Sequence, residues 1–152
     1  PEAAFSPALV KGLKENRDFV LLPESAYEHL KAWYGGGPDV LRTVVRAGNR
    51  TVVELYPWTL DVSLLHSHTN RRALVAISRA STVAELGLRA AAALGVEAPP
   101  PGSQAGLRLW ARLGAGNTLQ ELSPHGTLAG SGLDDGEEVC LEHPDGGAAA
   151  EA

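Results

Sequence analysis

The sequence predicts an α+β fold. After Pro23 the apolar residues recur at helical spacing and stop at Gly35-Gly36-Gly37, residues that tolerate the positive φ of a helix end. From Trp58 to Leu64, apolar Trp58, Leu60, Val62 and Leu64 alternate with polar Thr59, Asp61 and Ser63, the period of a half-buried strand. In Ser81-Thr82-Val83-Ala84-Glu85, Thr82 as N-cap and Glu85 at the third helical position make a capping box before a further apolar helical run.

Composition bounds the class. A chain of 152 residues, 44% hydrophobic and 20% charged, buries one ordinary core or two small ones and carries too little charge for disorder. Thirteen Lys and Arg against 18 Asp and Glu give a net charge of -5, so electrostatics offers no reason to expect nucleic acid or an anionic membrane as partner. No apolar run approaches the roughly 20 residues that span a bilayer. The start lacks the basic and apolar regions of a signal peptide. Cys140 is the single cysteine and cannot close an internal disulfide, so an intracellular setting, cytoplasmic or nuclear, is expected. The chain contains no methionine and reads as a segment of a larger protein.

In order along the chain, Ser6-Pro7 has the form of an N-cap and first helical residue, and Leu9, Val10 and Leu13 predict a short helix broken by Asn16 to Asp18. Phe19 to Leu22 suits a strand or an extended packing segment. Pro23 opens a second helix with Ala26, Tyr27, Leu30, Trp33 and Tyr34 on one face, which assigns Trp33 and Tyr34 to a first core. Val40 to Arg46 and Thr51 to Tyr56 read as strands joined by Ala47-Gly48-Asn49-Arg50. Trp58 to Leu64 and Ala73 to Ile77 form a hairpin across a polar loop at His66 to Arg72. The capped helix follows, with Val83, Leu86, Ala90 and Leu94 on its apolar face and Gly95 as its stop. A proline-bearing linker from Glu97 to Gly106 then leads to a strand at Leu107 to Leu113, a turn-rich connection at Thr127 to Leu133 and a last strand at Glu138 to Leu141.

The glycine string Gly35 to Gly37 does not suit a phosphate. A Walker loop needs Lys and then Ser or Thr after its last glycine, whereas Pro38 and Asp39 follow here. A dinucleotide fingerprint needs a strand before it and a helix after it, and this string follows a helix. The glycines are structural, and Pro38 prevents the helix from continuing.

The order β-β-α-β-β is the β-grasp arrangement. "STVAELGLRAAAALGV", "LRLWARLG" and "TLAGSGLDDGEEVCLE" resemble the helix, the following strand and the closing segment of ubiquitin. Upstream, "DFVLLPESAYEHLKAWYGGGPDVLRTVV" followed by "VVELYP" resembles the C-terminal half of the DUSP domain of ubiquitin-specific proteases, where a ubiquitin-like domain often comes next and the catalytic domain after it. The two resemblances run from about Ser6 to about Asp145. They imply a partial DUSP-type helix and small-sheet domain at residues 1–56, a ubiquitin-like β-grasp domain at 57–143 and a linker at 144–152. The family's Pro-Gly-Pro loop, its Gly-Asn-x-Cys cysteine box and its histidine box have no counterpart in these residues, so no catalytic residue is expected here.

The residue chemistry points the same way. Cys140 lies in "EEVCLE" among acids that disfavour a thiolate, and its strand alternates it against Val139 and Leu141. His66 and His68 are two apart, and zinc would need a third ligand in reach. His125 and His143 are remote in sequence. No metal or cofactor is expected. Arg71-Arg72 is too short a basic run for nucleic acid, and Asp134-Asp135 and Glu137-Glu138 read as a solvated acidic rim. Trp110 is singled out as a protein-contact candidate, with Cys140 beside it. The resemblance puts Trp110 on the strand whose outward residue in ubiquitin forms an apolar recognition patch. Alternation with Leu109 and Ala111 allows it to face out, and burial in a core or against a neighbouring domain is the competing reading.

The resemblance thus implies a non-catalytic regulatory and interaction segment of a deubiquitinase. Its expected partners are the catalytic domain of the same parent chain and proteins of the ubiquitin pathway, with neither nucleic acid nor membrane. The competing function is a ubiquitin-like modifier or an adaptor carrying both domains. Gly146-Gly147 favour the modifier, and His143-Pro144-Asp145 in place of a basic flexible stem disfavours it.

Overall fold

The computed structural model describes residues 5–66, 70–100, 106–113 and 118–144. It is α+β, with two helices, a two-stranded hairpin and a mixed five-stranded sheet. Helix α1 is Glu24–Tyr34, the hairpin is β1 Val44–Ala47 and β2 Arg50–Val53, and the sheet follows as β3 Trp58–Leu64, β4 Arg72–Ile77, β5 Arg108–Arg112, β6 Leu119–Glu121 and β7 Glu138–Glu142, with helix α2 Val83–Leu94 between β4 and β5.

The helix expected over Ser6 to Glu15 does not form. Gly12 adopts φ 88°, a left-handed conformation that interrupts a right-handed helix, and the Arg42 guanidinium takes the Pro7 carbonyl at 2.6 Å. Beyond it Asn16 at φ 63° makes a tight turn, its N–H donating to the Phe19 carbonyl at 2.8 Å. Val20 to Leu22 belong to no strand or helix, and Phe19 before them makes only an isolated bridge to Glu15.

Helix α1 starts after Pro23 as the sequence indicates, but none of its residues is buried. Trp33 and Tyr34, assigned to a core, are 72% and 82% exposed. Helical spacing placed them on one face, and no element covers that end of the face among the described residues. Gly35 and Gly36, at φ 69° and 117°, turn the chain back. Asp39 is then tied to the helix, accepting from the Tyr27 hydroxyl at 2.8 Å and from Lys31 Nζ at 2.6 Å. The glycine string is a turn between the helix and the segment that Asp39 ties back to it.

The hairpin is shorter than expected, with Val44 opposite Val53 and a two-residue turn, Gly48-Asn49. Gly48 at φ 61° supplies the positive φ that the first central position of a II′-type turn requires.

The five-stranded sheet has the order β4-β3-β7-β5-β6. Its first and last strands in chain order, β3 and β7, lie side by side and parallel, with Val62 opposite Val139, and every other pairing is antiparallel. Helix α2 covers one face. Its capping box forms as the sequence indicates: the Glu85 N–H donates to Thr82 Oγ1 at 3.2 Å and the Thr82 N–H to Glu85 Oε2 at 2.8 Å. Gly95 closes it in the left-handed conformation. Val83, Leu86, Ala90 and Leu94 face Leu60, Val62, Val75, Ile77, Leu109, Val139 and Leu141, all buried. Each such leucine contributes about 1.5 to 3 kcal/mol by leaving water. Leu122, Leu128 and Leu133 close the core from the connections. Strand β6 had no counterpart in the sequence reading, since three residues are too few for an alternation to register.

Candidate protein-contact surface

Alternation along each strand sends the second set of side chains to the face opposite α2. One row across that face is Arg72, Ser63, Cys140, Trp110 and Glu121, each opposite the next in strand register. The two residues singled out in the sequence, Trp110 and Cys140, are therefore direct cross-strand neighbours. Both are half-buried.

Trp110 faces away from the core, while Leu109 and Ala111 on either side are buried. Its indole N–H donates to Glu142 Oε2 at 2.8 Å, and the Arg108 guanidinium lies 4.9 Å from its ring centroid. Arg108 in turn grips Glu121 with two hydrogen bonds, Nε to Oε1 at 2.8 Å and Nη2 to Oε2 at 2.6 Å, and reaches Glu142 at 3.3 Å. These hydrogen bonds hold the Glu121 carboxyl below its ordinary pKa and raise that of Arg108.

The other end of the face repeats the device. Arg72 pairs with Asp61 at 2.9 Å and with Glu138, and the Glu138 hydrogen bond leads in raising the pKa of the guanidinium. Between the two clusters the Ser63 hydroxyl donates to Cys140 Sγ at 3.5 Å. The surface is a half-buried aromatic and a thiol framed by two arginine-carboxylate clusters, the polar rim around an apolar centre that protein contacts use.

The acidic stretch is more than a solvated rim. Asp135 Oδ1 accepts the Thr59 N–H at 2.7 Å, and Glu137 Oε2 accepts the Asp134 N–H at 3.1 Å, which fixes the turn into β7. His66 is exposed at φ 60°, and His68 lies outside the described residues, as do Gly146 and Gly147. Among the described residues no group of three or more His, Cys, Asp and Glu is placed to hold a metal, and no helix is long and apolar enough to cross a membrane.

The sequence reading missed Arg108 and Glu142 as partners of Trp110. Spacing of two on β5 and β7 puts them on the right face, but only the register Arg108 to Glu142 joins them. It also missed Glu54, which is buried.

A concavity of about 560 Å³ lies in the first part of the chain, walled by Leu9, Leu13, Phe19, Leu22, Val40 and Val53 and edged by Asp18, Glu24 and Arg42.

Comparison with known proteins bears on the first part of the chain. Residues 6–46 match the DUSP domain family. Ubiquitin carboxyl-terminal hydrolase 5 of Arabidopsis thaliana is 36% identical over 85 residues, 54% of this chain and 9% of that protein. Inactive ubiquitin-specific protease 5 of Oryza sativa subsp. japonica is 39% identical over 77 residues, 49% of this chain and 20% of its own. Ubiquitin carboxyl-terminal hydrolase 10 of Arabidopsis thaliana is 31% identical over 93 residues, 59% of this chain and 10% of its own. The chain spans between about a tenth and a fifth of the length of these relatives. A solved chain of a toluene 4-monooxygenase complex with 4-bromobenzoate covers 57% of this chain and 98% of itself at a TM-score of 0.41 and 15% identity, a likeness too slight to bear on fold or function. Residues 6–46 are thus a DUSP-domain segment related to those of plant ubiquitin-specific proteases.

Proposed function

We propose that the chain is a non-catalytic regulatory and protein-interaction segment of an intracellular, cysteine-dependent deubiquitinase, whose catalytic domain lies outside these residues and removes ubiquitin from conjugates. In this reading residues 1–56 are the C-terminal half of a DUSP domain, 57–143 a ubiquitin-like β-grasp domain and 144–152 a linker. The observation that carries it is a succession: a DUSP-matching segment at 6–46, then a mixed sheet whose first and last strands are central and parallel, packed on one capped helix. That strand arrangement supports the β-grasp reading, and relatives named as ubiquitin carboxyl-terminal hydrolases support a deubiquitinase as the parent.

The surface at Trp110 and Cys140 is the contact face. Its partner is the catalytic domain of the same parent chain or a protein of the ubiquitin pathway. The rice relative is named inactive, which favours a second reading, an adaptor that carries these domains without protease activity.

The reading frame of the parent decides between the two. A Gly-Asn-x-Cys box and a histidine box beyond residue 152 support the protease reading, and a frame that closes without them supports the adaptor.

A further inference from the structure

Among the described residues Glu54 is the charged residue that the fold buries, at 2% exposure, in the connection between β2 and β3. A carboxylate removed from water is tolerated only where its charge and lone pairs are met. Its backbone belongs to the hairpin, for the Glu54 N–H donates to the Thr43 carbonyl at 2.9 Å and prolongs that ladder. Its carboxylate belongs to the sheet. Ser78 Oγ donates to Oε2 at 2.5 Å and the Arg79 backbone N–H to Oε1 at 2.8 Å. Arg79 Nε stands 3.7 Å from Oε1, too far for a hydrogen bond, and is a buried nitrogen with no hydrogen-bond partner among the described residues.

Ser78 and Arg79 follow β4 and precede the Thr82 cap of α2. That connection is itself pinned: the Ala129 N–H donates to the Arg79 carbonyl at 3.0 Å and the Leu128 N–H to Ser81 O at 2.9 Å. The neighbours of Glu54 are held from the hairpin side, Leu55 O by Arg42 Nε at 3.0 Å, while the Tyr56 hydroxyl donates to Val10 O at 2.7 Å. Each side is thus held by its own hydrogen bonds, and the Glu54 carboxylate joins the two.

We propose that Glu54 is a latch. It fixes the β1–β2 hairpin at the end of the sheet where β4 runs into α2, so that the two move as one body, with Ser78 and Arg79 as its keepers. Pro57 fixes its own φ and holds Tyr56 extended, but it leaves its own ψ free and cannot set the angle alone. Glu54 is a positioning residue here, and the proposal stands whether the parent is a protease or an adaptor.

Residual dipolar couplings of the isotopically labelled full chain test it. In the unaltered chain, amides of residues 44–53 and of the five-stranded sheet fit a single alignment tensor. In Glu54→Ala the two sets require separate tensors, and exchange of the Arg79 amide, which has lost its acceptor, rises about tenfold or more, while central amides of α2 keep their protection. A double variant, Ser78→Ala with Arg79→Gln, removes the hydroxyl donor and the guanidinium charge from the other side, leaves the carboxylate only the Arg79 backbone N–H, and gives the same separation. A single shared tensor in both variants overturns the latch. Loss of α2 protection in both also overturns it, because Glu54 would then be required for folding and not for orientation.

Discussion

The Arg108 guanidinium lies 4.9 Å from the Trp110 ring centroid while the edge of that ring donates to Glu142 at 2.8 Å. A cation on one side and a carboxylate at the N–H hold the indole in one orientation before any partner arrives, which lowers the ordering cost of a contact. Trp110→Ala is accordingly expected to weaken association with the partner by about 2 kcal/mol while costing only about 1 kcal/mol of stability. Thermal melting and a binding titration on the one variant check both, and a stability loss of about 3 to 5 kcal/mol would return Trp110 to the core.

Arg108 also sets the titration of Glu121. Its hydrogen bonds lower the Glu121 pKa in the folded chain, so the stabilisation is present above the unfolded value and is lost as pH falls through the folded one. Arg108→Gln is expected to move the Glu121 midpoint up toward the ordinary glutamate value, read from its side-chain carboxyl carbon by NMR. Both groups are solvent-exposed, so the effect belongs to the midpoint more than to the melting temperature.

Helix α2 offers two substitutions of opposite sign. Thr82→Ala removes the side chain that accepts the Glu85 N–H and is expected to cost about 1 kcal/mol. Gly87 is buried in the same helix, and a Cβ there would meet Leu107 Cβ at 3.6 Å and Leu109 Cδ1 at 3.8 Å, ordinary contact distances. Gly87→Ala is therefore expected to stabilise by up to about 1 kcal/mol, through helix propensity alone. Chemical denaturation of the two variants measures both.

What the sequence made legible follows from how local each signal is. The Thr82-Glu85 box, the Gly95 stop and the alternation of β3 are fixed by neighbours within a few residues, and each formed where the pattern placed it. The stretch over Leu9, Val10 and Leu13 carried the same helical spacing, yet Gly12 and an arginine from far downstream, Arg42, decided its path. Spacing puts Trp33 and Tyr34 on one helix face, and burial needs something to lie on that face. At the contact surface, alternation showed that Trp110 could point outward. Its cover by Arg108 and Glu142 depends on the pairing of β5 with β7, which no local pattern encodes. Glu54 was illegible for the same reason, its partners lying 24 and 25 positions away.

The Cys140 thiol meets a serine hydroxyl, which cannot act as the base that a cysteine nucleophile requires. The chain is expected to release no fluorophore from a ubiquitin C-terminal substrate. Turnover that disappears in Cys140→Ala would make Cys140 a nucleophile and end the non-catalytic reading.

The proposed contact face lies around Trp110 and Cys140. Titrating the isotopically labelled chain with the catalytic domain of its parent, and following the Trp110 indole N–H together with the Cys140 amide, tests it most directly. These two signals are expected to shift first and furthest, with Ser63, Arg72 and Glu121 next, and Trp110→Ala is expected to abolish the shifts elsewhere on the row. Perturbations confined to α1 and the β1–β2 hairpin, with the Trp110 indole unmoved, would contradict it.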